Sequence, residues 1–219
     1  MSDAGLLSEV RRIVRIPADG VELEGAFESP PSPAGLVIFA HGSGSSRMSP
    51  RNRFVARQLR AAGFATLLLD LLTEGEDAQR AQRFDIALLA ARLQAAVRWA
   101  NTYPAAVNLP IGLFGASTGA AAAIEVAALL GVRVAAVVSR GGRPDLASEL
   151  ALARVRAATL LVVGGADTEV LDLNERAYER MGCVKELDVV PGATHLFEEP
   201  GALEEVAGLA AEWFARHLK

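Results

Sequence analysis

Gly115-Ala116-Ser117-Thr118-Gly119 spaces a serine between two glycines, each two residues away. The pentapeptide follows an apolar run, Ile111 to Phe114, and opens an alanine-rich stretch, Ala120 to Leu130. The run reads as a buried strand and the stretch as a helix, so the five residues make a sharp strand-to-helix turn. Glycine at both ends suits a turn too tight for side chains. Its serine hydroxyl stands exposed above the sheet, at the amino end of the helix, as a nucleophile elbow. Serine is a weak nucleophile at neutral pH and needs a neutral imidazole to take its proton. The imidazole in turn needs a carboxylate to fix its tautomer and stabilise the cation that forms.

Both partners are present, and in order. Asp167 lies in Gly164-Gly165-Ala166-Asp167-Thr168-Glu169, after the apolar run Leu160 to Val163. His195 lies in Pro191-Gly192-Ala193-Thr194-His195-Leu196-Phe197, after the last strand. Serine, acid and histidine then converge at the carboxyl ends of strands, where open α/β sheets bind ligands. Of the three histidines, His217 sits at the carboxyl terminus and His41 precedes a glycine in another loop, where it shapes the backbone. His195 alone occupies the slot for a base. Asp167 has a second reading, as the cap of the helix that follows it. Asp70, Glu169 and Asp172 are rival acids, and Asp70 precedes the elbow, against the chain order expected.

Acyl transfer builds negative charge on a carbonyl oxygen, which two backbone N–H groups must meet. Thr118, directly after the nucleophile, supplies one. The loop His41-Gly42-Ser43-Gly44-Ser45-Ser46 supplies the other, assigned to Ser43 with Gly42 or Gly44 as alternates. That loop does not spell either phosphate-binding glycine motif, which disfavours a nucleotide. Several arginines fall near the site loops: Arg47, Arg51, Arg53, Arg140 and Arg143. Arg47 or Arg140 is expected to hold an anionic group on the substrate, unless they pair with Asp70, Glu74 or Asp145.

The elements that position these residues alternate along the chain. Arg11 to Ile16 and Val21 to Phe27 read as an antiparallel hairpin. Apolar runs at Gly35–Ala40, Phe64–Leu69, 111–114, 134–138 and 159–163, then Lys185–Val190, read as strands of a buried parallel sheet. Helical spacing marks Arg53–Ala62, Asp85–Trp99, 119–130, Asp145–Ala153, Val170–Met181 and Ala202–Leu218. This predicts one α/β domain over 1–219: a mostly parallel twisted sheet, an N-terminal antiparallel hairpin and helices on both faces.

Composition narrows the class. With 219 residues and 51% apolar content the chain builds one sizeable core. A net charge of −4 without a basic stripe argues against nucleic acid. Cys183 is the single cysteine, which suits a reducing compartment, and Met1 to Arg12 lack an apolar leader. The uncharged stretch Trp99 to Ile124 is long enough to span a bilayer, but two prolines and three glycines divide it. A cytoplasmic protein away from membranes is expected; oligomeric state is open.

Across nearly its whole length the chain resembles the α/β-hydrolase superfamily, near the dienelactone hydrolase-like proteins. His41-Gly42, the elbow, Gly165-Ala166-Asp167 and Gly192-Ala193-Thr194-His195 carry the resemblance. It implies hydrolysis without metal or organic cofactor. Dienelactone hydrolases proper have cysteine at the elbow, so Ser117 points to ordinary small carboxylic esters or lactones. Many relatives insert a helical cap after the sixth strand, whereas Ser139 to Pro144 here runs straight into a helix. Similar domains occur joined to phosphoribosyltransferase modules, for which this chain has no room. The expected reaction is ester or lactone cleavage through an acyl-enzyme. A thioesterase or acyltransferase would use the same triad, and a non-catalytic binding module would use none of it.

Overall fold

Nine residues of alternating exposure form each arm of the first hairpin, β1 (Val10–Ala18) and β2 (Val21–Ser29). Asp19 and Gly20 join them, both at positive φ, as a two-residue turn between right-twisted strands requires. The computed structural model describes residues 9–218. Most of the leader-free stretch expected at the start therefore lies outside the described residues.

Five strands are buried on both faces and are mainly apolar in sequence, with Thr66, Ser139, Arg140 and Thr159 the polar residues they enclose: β3 (Leu36–Ala40), β4 (Ala65–Leu69), β5 (Ile111–Ala116), β6 (Val134–Arg140) and β7 (Ala158–Gly164). The edge strand β8 (Lys185–Val190) is half-exposed and carries charge. The order is β1-β2-β4-β3-β5-β6-β7-β8, antiparallel from β1 through the β2–β4 pair and parallel beyond. Among the described residues eight α-helices accompany them, the last following β8: α1 (Pro50–Ala61), α2 (Glu74–Asp77), α3 (Arg80–Arg83), α4 (Ile86–Ala100), α5 (Thr118–Leu130), α6 (Glu149–Arg154), α7 (Thr168–Arg180) and α8 (Ala202–His217). One face packs α1 and α8, the latter through Trp213 and Phe214, over Phe39 and Phe114; the other packs α4 and α5 over Leu36, Ile38 and Leu113. From β3 the chain turns into α1 on one face, and from β5 into α5 on the other. That divergence at neighbouring strands opens the crevice where such sheets bind ligands.

The expected single α/β domain is therefore found, with boundary corrections that have local causes. The first helix starts at Pro50 rather than Arg53, because Ser49 accepts the Asn52 N–H and proline suits the first helical position. Strand β6 runs on to Arg140. The helix expected over 145–153 is divided into a 3-10 turn, Pro144–Leu146, and α6, which Ser148 caps. No inserted cap interrupts residues 141–157. Helices α2 and α3 were not foreseen, although Thr73 and Glu76 form a capping box. Among the described residues no helix is long and apolar enough to cross a membrane.

Ser49→Ala removes the α1 cap and is expected to cost about 1 kcal/mol. Urea unfolding should show a lower midpoint with an unchanged slope; an unchanged midpoint would mean that the cap contributes nothing.

Candidate active site

Strand β5 stops at Ala116 and α5 starts at Thr118, leaving Ser117 between them at φ 50°, ψ −123°. Few residues other than glycine adopt such a backbone, and strain of this kind is concentrated at functional sites. The flanking glycines explain it. A methyl group on Gly119 would lie 2.6 Å from the Ala40 carbonyl carbon and 2.7 Å from the His41 oxygen. One on Gly115 would lie 2.7 Å from the Ala120 nitrogen. Helix, elbow and β3 thus touch backbone to backbone. Ser117 is at the cap position of α5 yet makes no side-chain capping bond, so its hydroxyl is free for other work.

The loops after β7 and β8 lock together in the same way. A methyl group on Gly164 would meet the Thr194 oxygen at 2.7 Å. Gly165 N–H donates to Val190 O at 2.8 Å, and Ala166 N–H to Ala193 O at 2.9 Å. Phe197, fully buried, pins the far end of the His195 loop. Asp167 then stands at the cap position of α7 but does not cap it. Its Oδ2 lies 2.7 Å from His195 Nδ1. A carboxylate only accepts, so Nδ1 carries the proton of this bond, and Nε2 is the nitrogen whose lone pair a neutral imidazole offers.

Ser117 and His195 flank the turn after β6. Ser117 N–H donates to Arg140 O at 3.4 Å, and Arg143 N–H donates to Ser117 O at 3.0 Å. A methyl group on Gly141 would lie 3.7 Å from His195 Nδ1. No direct hydrogen bond joins the Ser117 hydroxyl to His195; in unliganded hydrolytic sites this contact is often long and tightens with substrate. Asn174, fully buried on α7, ties the turn down by donating to Gly142 O at 2.9 Å. Sequence reasoning missed it. Its signal was a polar residue in step with the buried Val170 and Ala177.

The loop after β3 is held by two groups. His41 is buried; its Nδ1 lies 3.0 Å from Gly42 O and its Nε2 accepts the Leu71 N–H at 2.9 Å. It shapes the loop, as expected. Ser43 N–H donates to the Thr118 hydroxyl at 2.9 Å, a contact that no motif announced. The amides assigned to an oxyanion hole therefore belong to two residues joined to each other.

Neighbouring charges sort themselves. Asp70 accepts the Arg47 N–H at 2.7 Å and pairs with its guanidinium, which also reaches Glu24. Arg47 is thereby committed to protein carboxylates, and Asp70 is not free to serve His195. Asp172 pairs with Arg176 at 2.6 Å, Glu169 is exposed, and Arg143 grips Asp145 through two bonds of 2.8 Å. Arg140 differs. It is buried, its Nε and Nη1 lack partners, and burial, aided by Arg51, lowers its pKa to about 10. Among the described residues no cluster of three His, Cys, Asp or Glu could hold a metal ion.

A family model described as the dienelactone hydrolase family matches residues 23–218. A Mycobacterium tuberculosis protein, provisionally named a phosphoribosyl transferase, is 57% identical over 205 residues, 94% of this chain and 46% of that protein, in each of two strains. The chain spans about half the length of these curated relatives. The crystal structure of a dienelactone hydrolase from Anabaena variabilis is 51% identical, with a TM-score of 0.94 over 97% of this chain and 100% of that one. A dienelactone hydrolase-like promiscuous phosphotriesterase from metagenomic libraries shares the fold at 18% identity, with a TM-score of 0.78 over 97% and 100% of the two chains.

Gly119→Ala should destabilise the protein by about 3 kcal/mol, the upper range for overpacking, since backbone must move to admit a methyl group; a loss below the resolution of urea unfolding would contradict the close packing. Burial lowers the His41 pKa below its ordinary value of 6.5. Its share of stability is therefore complete above that pH and is lost as pH falls through the lowered value. Melting temperature should drop on acidification from pH 7, and His41→Gln should flatten that drop. A parallel decline in both proteins would show that His41 does not contribute.

Proposed function

The chain belongs to the dienelactone hydrolase family, and we propose that it is a serine hydrolase of small carboxylic esters or lactones. The observation that carries this reading is Asp167 at a helix cap position, binding His195 at 2.7 Å instead of capping.

Ser117 Oγ attacks the carbonyl carbon while His195 Nε2 takes its proton, and Asp167 stabilises the imidazolium. The oxygen of the tetrahedral adduct takes the charge and is met by the amides of Thr118 and Ser43, the latter shared with the Thr118 hydroxyl. Collapse breaks the bond to the alcohol or lactone ring oxygen, which leaves with the proton held by His195. Water then gives a proton to His195 as its oxygen bonds the acyl carbon. The Ser117 ester breaks and the serine recovers its proton. With no cap inserted between β6 and β7, the site suits small acyl groups. Cys183, half-buried and without a disulfide, accords with a place in the cytoplasm. Phosphoribosyl transfer, the activity in the name of the M. tuberculosis relatives, is not carried over to a chain that matches 46% of their length.

A fluorophosphonate probe should label the natural protein and fail on Ser117→Ala and on His195→Ala. Asp167→Asn should keep the fold and lose about 10⁴-fold in kcat on p-nitrophenyl esters, the scale set by a mis-set tautomer in a serine protease. Labelling that survives Ser117→Ala would refute the assignment.

A further inference from the structure

Thr118 stands at the first position of α5, directly after the nucleophile, and is 2% exposed. Its Oγ1 accepts the Ser43 N–H at 2.9 Å. Strand β3 delivers that loop against the elbow: a methyl group on Gly42 would lie 2.8 Å from Ser117 Cβ and 3.6 Å from Ser117 Oγ. The hydroxyl therefore touches one of the two amides assigned to the oxyanion and belongs to the residue that carries the other.

That bond uses a lone pair of the hydroxyl and leaves its proton unspent. Inside a helix a threonine can give this proton to the carbonyl three or four residues back. At the first position of α5 no helical turn precedes it, and among the described residues the Thr118 hydroxyl donates to no acceptor. Burial keeps bulk water away as well. A buried donor without an acceptor is unfavourable. A tetrahedral adduct on Ser117 would supply the missing acceptor, since its carbonyl oxygen turns negative.

We propose that the Thr118 hydroxyl is a catalytic donor to the oxyanion, beside the amides of Thr118 and Ser43; this rests on the hydrolase reading above and deepens it. As Ser117 Oγ bonds the carbonyl carbon, the carbonyl π pair moves onto oxygen and the serine proton moves to His195. The Thr118 O–H turns toward the new charge and keeps its proton. Meanwhile the Ser43 N–H stays on Oγ1 and polarises the O–H, so the two bonds strengthen each other. An uncharged carbonyl oxygen attracts the donor less, so the gain falls on the transition state rather than on substrate binding.

Two variants without the hydroxyl, Thr118→Val and Thr118→Ala, test it with p-nitrophenyl butyrate as substrate and an alkyl trifluoromethyl ketone as inhibitor. The ketone forms an anionic hemiketal on an activated serine and so reports on the oxyanion directly. In both variants kcat should fall about 10²-fold, the lower end for loss of one oxyanion donor, with KM little changed. The inhibition constant of the ketone should rise by the factor by which kcat/KM falls, and Thr118→Ser should recover most of both losses. An undiminished kcat in either variant overturns the donor. A fall in kcat without weaker inhibition overturns it too, because the loss then lies outside the oxyanion. So does a rise in KM alone, which reduces the hydroxyl to a fixture of the loop after β3, and so does a failure of Thr118→Ser to rescue. Should Thr118→Val fail to fold, Thr118→Ala, which adds no bulk, decides. If the natural protein neither cleaves the ester nor binds the ketone, the hydrolase reading falls and the donor with it; ester cleavage by the natural protein with any of the contrary outcomes removes the donor alone.

Discussion

No side chain fits between the start of α5 and the end of β3. The Ala40 and His41 carbonyls stand where a methyl group on Gly119 would be, and the Ala120 nitrogen stands where one on Gly115 would be. Such contact compresses the connection from β5 to α5 into one residue, Ser117, at φ 50°. A non-glycine residue there costs about 1–3 kcal/mol. The cost is offset by burial behind it, where Ala120 to Ile124 are fully enclosed against the sheet. The strain has a directional result. It lifts the hydroxyl out of the helix cap and leaves it at the sheet edge, beside amides at a positive helix end.

Backbone contact between glycines and carbonyls recurs two strands away, where Gly164 and Gly165 let the loop after β8 lie on the loop after β7. His195 reaches Asp167 because of that contact. The surrounding charges follow from which carboxylates remain available. Asp70 and Asp145 have arginines, so neither competes for the imidazole. Asp167 has its histidine. Arg140 is left without an answering group.

Much of this was legible in the sequence. Alternation in the hairpin and near-continuous apolar runs in the central strands gave the sheet, since a strand buried on both faces favours apolar residues at successive positions. Gly-x-Ser-x-Gly was legible because close approach demands glycine at fixed offsets. The fate of Asp167 was not decided there: capping and imidazole binding ask for the same residue type, and the choice depends on a loop 28 positions away. Arg47 and Arg140 also looked equivalent in sequence. The partners of Arg47 come from β2 and the end of β4, brought together by antiparallel pairing, whereas strand parity buries Arg140. Ser43 and Thr118 are 75 residues apart, and no local pattern could have joined amide to hydroxyl.

The central claim is that an ordinary ester passes through a covalent bond to the strained serine. Rapid acid quenching during turnover of p-nitrophenyl pentanoate, followed by peptide mass analysis, addresses it most directly. The account predicts a pentanoyl adduct on the peptide containing Ser117, formed and lost at rates compatible with turnover. Steady turnover with no adduct, or with the acyl group on another residue, would contradict it.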